Sequence, residues 1–574
     1  MYTRDRVRLD ADVYYPDQNG EFPVLLMRQP YGRAIASTVV YAHPSWYAAH
    51  GYIVVIQDVR GRGTSEGEFS LFAHEVEDGF DAVQWAADLL QSNGQVGMYG
   101  FSYQGMTQLY AAASRPKALK TICPSMVAYD LYQDWAYEGG AFRYQLNLGW
   151  AIQLAAETAR RQGNSEAYQA LYAASRNLPL HDPVCVRSGL LKQLAPESHY
   201  HAWLDHPKPN DYWDNLSPKL HLQEIDLPML HIGGWFDTYL QGTIKLYKAM
   251  ATRSQLPQHL IVGPWAHLPW GHKVGSVDYG AEANSPIDRL QIRWFDHFLK
   301  GQDTGLLEDP AVCLFEMGSN QWRRFDRYPQ EPPKSYVLIT GGLASVDDRE
   351  GGLTTTLPHL PLPALPDTLV HDPWRPVPAL GGHSAFPAGA FERSAIDCRT
   401  DVLTYTSASL IEDLHLAGDL SAQLYCAADA LSFDLCVVLS EVQPNGSVYN
   451  ISQGYIRVEN PRQVAQRARS NNEFSVSDAP DDPADPFSAA LPSLLQASGA
   501  STRIIIPLQP VCIRIARGSA LRLSISASCF PAYAVNAGNG DPSGESRLVD
   551  AQVITVALFS EGDRLSQVWL PVTA

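Results

Sequence analysis

The chain has 574 residues and a formal net charge of -18, with an isoelectric point near 5.4. That length exceeds what one hydrophobic core organises, so two or three domains are expected. An acidic chain without runs of Lys or Arg excludes nucleic acid as a partner, because phosphate binding needs clustered positive charge.

The eight cysteines show no CxxC spacing and read as buried thiols in a reducing compartment. The N-terminal stretch MYTRDRVRLDADVYYP has no apolar h-region, and runs such as YIVVI are too short to span a bilayer. The expectation is a cytoplasmic protein with no membrane partner.

In chain order, FPVLLM (Phe22 to Met27), GYIVVIQ (Gly51 to Gln57) and VGMYGF (Val96 to Phe101) read as buried strands. Helical spacing of apolar residues fills Asp78 to Leu90 and Tyr103 to Ser114. Strand alternating with helix implies a parallel sheet with crossover helices. LPMLHIGGWFD and QHLIVGPWAH, ending at Asp237 and His267, are two more strands of that kind. Between the early and late strands, residues 128–221 are rich in Ala, Leu, Gln and aromatics, helical in period and without strand-like runs.

The Pro-rich stretch Thr356 to Pro378 cannot be regular structure, since proline lacks the N–H donor. Around and beyond it, short alternating segments such as LSAQLYCAA, FDLCVVLSEV and ALRLSISAS carry a sandwich or jelly-roll signature. Residues 462–501 are acidic, polar and Pro-rich and read as a long exposed loop. The expected organisation is an α/β domain over 1–127 and 222–309, a helical insertion over 128–221, and an all-β domain over 310–574. No internal repeat is visible.

Gly100-Phe-Ser102-Tyr-Gln-Gly105 sits between the third strand and the helical pattern that follows it. A serine hydroxyl is a weak nucleophile, so it needs a base for its proton and aligned donors for the developing oxyanion. GxSxG at a strand-to-helix turn exposes such a serine, and its partners are then expected in the order Asp or Glu, then His, at later strand ends. Asp237 and His267 fit that order. Asp237 would orient the imidazole of His267, which would take the Ser102 proton and return it to the leaving group. His231, inside a strand, and His272, in a loop, compete less well for the base. The oxyanion donors would be the Tyr103 backbone N–H and the Tyr31 phenol from RQPYGR, because the HGGG motif of lipases is absent.

RQPYGR, QDVRGRGTSEGEF, VGMYGFSYQG, GGWFD and VGPWAH, in this order, resemble the bacterial cocaine-esterase-like hydrolases. These are related to X-Pro dipeptidyl peptidases, α-amino-acid ester hydrolases and glutaryl-cephalosporin acylases. DPWRPVPALGG and LRLSISASCFPAYAVN extend the resemblance into the C-terminal part. It implies an α/β-hydrolase domain with an inserted helical cap and a C-terminal jelly-roll, galactose-binding-like domain. It also implies Ser102, Asp237 and His267 as a triad, with Tyr31 and Tyr103 at the oxyanion. By the same resemblance Trp135, Trp150 and Tyr239 would line the substrate pocket, where aromatic walls suit an aromatic acyl group.

Two departures bear on substrate. α-Amino-acid ester hydrolases carry acids just after the triad aspartate, whereas Thr238, Tyr239 and Leu240 follow here, unless Asp134 or Glu138 of the cap substitutes. X-Pro dipeptidyl peptidases usually have a further N-terminal domain, whereas this chain starts almost at the first strand. In Asp58-Val-Arg-Gly-Arg-Gly63 the expectation is a scaffold loop with Arg60 paired to Asp58, not a dinucleotide motif. His267 and His272 lack HExxH spacing and a third ligand, so no metal is expected, and no cofactor.

The expected activity is a serine hydrolase cleaving acyl esters of a small molecule, less readily amides, through an acyl-enzyme. The alternatives are a β-lactam side-chain acylase, an α-amino-acid ester hydrolase or an X-Pro aminopeptidase on the same triad, or a carbohydrate-binding protein with a relic hydrolase domain. A homo-oligomer is left open.

Overall fold

The run Val24 to Met27 and the run Ile53 to Ile56 are each fully buried, as strands covered on both faces must be. In the computed structural model, which describes residues 1–36, 38–347, 350–356, 365–459 and 501–573, these runs lie in one nine-stranded sheet. Its strands are β1 (Ala11–Tyr14), β2 (Phe22–Gln29), β3 (Ile53–Asp58), β4 (Ser92–Phe101), β5 (Leu119–Ser125), β6 (Met229–Phe236), β7 (Gln258–Ala266), β8 (Val312–Glu316) and β9 (Gln321–Phe325). The spatial order is β1-β3-β2-β4-β5-β6-β7-β8-β9. From β3 to β8 every pairing is parallel, and the two edge strands are antiparallel.

The helices relevant to the site are α1 (Glu75–Ala87), α2 (Tyr103–Ala113), α3 (Tyr144–Arg161), α4 (Ser165–Arg176), α5 (His199–Asp205), α6 (Leu240–Arg253) and α7 (Ile287–Lys300). Helices α1 and α2 follow β3 and β4, the alternation that the apolar periods predict. α3, α4 and α5 belong to the helical insert. The insert is not wholly helical: Tyr137–Glu138 and Ala141–Phe142 pair as a short hairpin around Gly139 and Gly140, both at positive φ. A two-residue glycine turn makes strands too short for an alternation pattern to show.

The chain divides into two compact units. The first contains 1–136, 146–179 and 188–329, and the second 137–145, 180–187 and 330–574. The ribbon of β8 and β9 therefore belongs with the parallel sheet, although it follows residue 309, where the sequence reading starts the all-β domain. The second unit is built on long antiparallel strands, among them Leu414–Ala428, Ser432–Val442, Val448–Glu459, Thr502–Ile515 and Ala520–Ser526. The alternation expected of these segments is absent from two of them: Ala520–Ser526 is buried along its whole length and Ser432–Val442 along all but its last two residues, as strands covered on both faces are. The acidic loop expected over 462–501 lies, but for Ser501, outside the described residues, as do 357–364 of the Pro-rich stretch; the expectation that this stretch is irregular is corrected at Asp367–His371, a proline-free strand paired antiparallel with Ile554–Phe559. No helix among the described residues is long and apolar enough to cross a membrane.

Within the second unit Glu138 collects three donors on one oxygen: Arg143 at 2.8 Å, His383 at 2.9 Å and the Tyr533 hydroxyl at 2.5 Å. Burial pushes its carboxyl up, but the charges of His383 and Arg143 and the hydrogen bonds outweigh it and hold the pKa at about 2. A depressed carboxylate pKa stabilises the fold above the ordinary value of 4.5, and that contribution is lost as pH falls towards about 2. Glu138→Gln is expected to cost about 3–5 kcal/mol in urea unfolding at pH 7 by leaving buried cations unmatched. The gap to wild type should narrow as pH falls from 4.5 towards 2. A gap that stays constant with pH would contradict the assignment.

Candidate active site

Parallel register brings the C-terminal ends of several strands to one edge of the sheet. Phe101 lies opposite Ser125, Ser125 opposite Ile232, and Phe236 opposite Ala266. Ser102, Asp237 and His267, each the residue after β4, β6 or β7, therefore emerge along the same edge, and Tyr31 follows β2 by two residues. This is the edge where open parallel sheets bind ligands.

Ser102 stands at the turn from β4 into α2 with φ 59° and ψ -128°, backbone that a side chain rarely adopts. Its N–H donates to the Ser125 carbonyl at 3.0 Å, and its own carbonyl accepts from Met106 at 2.9 Å. The glycines of the motif are required by space. A Cβ on Gly100 would stand 2.5 Å from the Gln104 Cβ, and one on Gly105 would stand 2.4 Å from Val127 Cγ1. Tyr103 opens α2, so its N–H has no acceptor inside the helix and faces the site with the positive end of the helix dipole.

His267 Nδ1 lies 2.7 Å from Asp237 Oδ1. Asp237 is fully buried, and its other oxygen accepts the Tyr239 N–H at 3.1 Å. The carboxylate is thus held from both sides, and the tautomer with the proton on Nδ1 leaves Nε2 as the acceptor. The competing histidines are placed elsewhere. His231 bonds Gln258 at 3.0 Å inside β6, and burial lowers its pKa to about 4. His272 bonds Asn284 and is exposed.

The Tyr31 phenol is hydrogen-bonded to Ser102 and accepts the Trp150 Nε1–H at 3.1 Å. Burial pushes its pKa up to about 12, with the Trp150 and Ser102 bonds and the Arg62 charge opposing. The O–H therefore stays protonated at any ordinary pH. From Trp150 a chain of ring contacts returns to the triad. Trp150 lies 5.2 Å from Trp135, Trp135 lies 4.2 Å from Tyr239, and Tyr239 stands edge-on 5.1 Å from His267. His267 then packs 5.4 Å from Phe101, the neighbour of Ser102. Ser102, Tyr31, Trp150, Trp135, Tyr239 and His267 are thus joined in one chain of contacts, whose two ends meet through Phe101, the residue before Ser102.

Two supports are not visible in the motifs. The Tyr103 hydroxyl donates to Glu75 Oε1 at 2.9 Å, and Arg28 donates to Glu75 Oε2 at 2.7 Å. The signal was present, since Arg28 is a cation in the otherwise apolar strand FPVLLMRQ. The second support corrects an expectation: Arg60 does not pair with Asp58. Arg60 pairs with exposed Asp5 at 2.6 Å and with buried Asp78 at 2.7 Å, while Asp58 takes the Arg33 guanidinium and backbone N–H and the Gln29 amide. Gln29 in turn accepts the Tyr31 N–H at 2.8 Å. Asp58 thereby anchors the loop that carries Tyr31, a task better suited to its buried side chain than pairing with its own loop.

The cap acids considered for an ammonium are committed. Asp134 is buried, ion-paired with Lys245 and bonded to the N–H groups of Tyr129 and Asp130. Glu138 is held in its own unit as described above. Among the described residues no three His, Cys, Asp or Glu side chains are grouped as a metal would require.

The fold, with a strained serine after β4 and a histidine–aspartate pair after β6 and β7, is that of a serine hydrolase of the α/β-hydrolase class. The X-Pro dipeptidyl-peptidase (S15 family) matches residues 5–269, and the X-Pro dipeptidyl-peptidase C-terminal non-catalytic domain matches 305–560. The chain belongs to that family. It is 28% identical to cocaine esterase of Rhodococcus sp. (strain MB1 Bresler), covering 99% of this chain and 97% of that protein. Among solved structures it resembles an aminopeptidase from the marine sediment archaeon Thaumarchaeota archaeon, with TM-score 0.78 and 22% identity, covering 100% of this chain and 95% of that one. An α-amino acid ester hydrolase gives TM-score 0.75 and 21% identity with the same coverage. These two likenesses are of fold alone.

Gly105→Ala tests the packing of the turn. Its methyl group would overlap Val127 and the Ser125 carbonyl, and a loss of about 1–3 kcal/mol is expected from urea unfolding. An unchanged midpoint would show that the turn has room to spare.

Proposed function

We propose that the protein is an esterase that transfers the acyl group of a small ester to Ser102 and then to water, with an aromatic or bulky apolar acyl group preferred. The observation that carries this reading is the chain of contacts that runs from Ser102 through Tyr31, Trp150, Trp135 and Tyr239 to His267. In the first step the Ser102 oxygen attacks the ester carbonyl while His267 Nε2 takes its proton. Asp237 steadies the imidazolium. The Tyr31 hydroxyl turns from Ser102 to the carbonyl oxygen, and with the Tyr103 N–H it receives the negative charge. Accepting the Trp150 N–H makes the phenol a stronger donor. His267 gives its proton to the departing alcohol, and the acyl group stays on Ser102. Water, deprotonated by His267, then attacks the acyl-enzyme, and collapse of the second tetrahedral adduct releases the acid and restores the serine.

An aromatic acyl group suits walls built from Trp135, Trp150 and Tyr239, since ring burial and edge contacts both favour it. An α-amino acyl group suits them less. No acid follows Asp237 directly, and Asp134 is occupied by Lys245. The full-length similarity to cocaine esterase supports an ester as substrate.

A fluorophosphonate probe should label wild type and leave Ser102→Ala unlabelled; equal labelling of the two would reject Ser102 as nucleophile. Tyr31→Phe should lower kcat on an aryl ester by roughly 10²–10³-fold with little change in KM, because the lost bond forms in the transition state. An equal rise in KM instead would assign Tyr31 to ground-state binding. With the Tyr31 pKa at about 12, the alkaline limb of the wild-type rate should show no loss of a donor below pH 11.

A further inference from the structure

Arg62 is 2% exposed and has no carboxylate partner among the described residues. The other buried arginines each hold one: Arg28 holds Glu75, Arg143 holds Glu138, and Arg393 and Arg522 share Asp397. A buried cation left without a counter-charge is costly. Arg62 is nonetheless fixed in place. Its NH1 donates to the Leu154 carbonyl at 3.0 Å and reaches Thr158 Oγ1 at 3.3 Å, and its guanidinium lies 3.7 Å over the Phe69 ring. Its Nε is shut away from solvent with no acceptor. The nearby acid, Glu157, is already bonded through both oxygens to Arg160.

The position of this charge bears on substrate. Leu154 lies one turn beyond Trp150 on α3, and Trp150 is the donor to Tyr31. His199 stands 5.0 Å from Trp150, and its Nε2 is also buried without a partner, as is Nε1 of Trp135. Burial and the Arg62 charge push the His199 pKa down to about 3, so its ring is neutral and can offer an N–H without adding charge. The Arg62 charge is felt at the Tyr31 phenol as well. Two N–H donors without partners therefore flank Trp150, and a positive group is bonded to the next turn of its helix. In the reaction proposed above the leaving group must lie by His267, which protonates it, so the acyl portion faces Tyr31 and Trp150.

We propose, resting on that reading, that the Trp150 side of the pocket takes an anionic end of the acyl group, so that the preferred substrates are monoesters of dicarboxylic acids. The carboxylate supplies the counter-charge that Arg62 lacks and accepts from the His199 and Trp135 N–H groups. A guanidinium and a carboxylate match as a forked pair. The same charge repels an ammonium, which adds a second reason for poor turnover of α-amino acyl esters.

The test compares 4-nitrophenyl monoesters of terephthalic acid and of 4-methylbenzoic acid, which differ at the ring position para to the scissile carbonyl. Wild type is expected to favour the charged ester at least tenfold in kcat/KM. Arg62→Met should lower that ratio tenfold or more, and Arg62→Lys should keep most of it. A wild-type ratio at or below one, or the same ratio in Arg62→Met, overturns the proposal. A second measurement needs neither turnover nor an Arg62 variant: Ser102→Ala titrated with terephthalate or with terephthalamide, read by tryptophan fluorescence. Tighter binding of the dianion supports the proposal, and equal binding or none overturns it. If wild type cleaves both esters without preference, only the anion site fails. If it cleaves neither and Ser102 takes no fluorophosphonate, the nucleophile reading fails, and the titration still decides the anion site.

Discussion

The backbone of Ser102, held at φ 59° between a strand and a helix, is the constraint on which the rest of the site depends. That conformation is unfavourable for a residue with a Cβ and persists only because the surroundings over-determine it. Its N–H is tied to β5 through Ser125, its carbonyl begins α2, and the two flanking glycines remove side chains that would strike Gln104 and Val127. The strained residue links the end of β4 directly to the first turn of α2, whose amides have no acceptor inside the helix. The proposed nucleophile and one proposed oxyanion donor are thus consecutive residues of one local distortion.

Around that point the protein spends buried polar groups in fixed pairs. Asp58 fixes the Tyr31 loop through Gln29, Glu75 fixes the Tyr103 ring with Arg28 behind it, and Asp237 fixes His267. Each pairing satisfies charges that would be costly alone, and each steadies a residue of the proposed site. Preorganisation of this kind means that little has to move when charge develops. Arg62 breaks the pattern, and a group that is buried, held and uncompensated fits a ligand that brings the missing charge.

Much of the site was legible in the sequence because strand ends are. Ser102, Asp237 and His267 each close a run of buried apolar residues, and parallel register carries such ends to one edge whatever the length of chain between them. The resemblance added Trp135, Trp150 and Tyr239, which no period or spacing identifies, and supported Tyr31, which RQPYGR already offered just after the first strand run. β5 carries no apolar run of strand length in sequence, because Lys120 and Pro124 flank TIC, although Thr121 to Ser125 are all buried in the sheet. The edge ribbon of β8 and β9 escaped it because QWRRF is polar on a half-covered strand, so it read as part of the next domain. The choice of partner for Arg60 failed for a different reason. Neighbours in sequence compete with carboxylates brought from afar, and Asp5 and Asp78 become neighbours only when the fold is made. Arg62 was likewise visible as a letter and invisible as an unpaired charge.

The central claim is that an ester's acyl group comes to rest on Ser102. It is tested most directly by mixing the enzyme with an aryl ester, quenching in acid within milliseconds to seconds, and mapping the mass of the acyl adduct by peptide. The account predicts an adduct on the peptide containing Ser102 that appears before steady state, with an equimolar burst of released phenol, and that disappears on further incubation. Product formed with no adduct at any time, or an adduct on another residue, would contradict it.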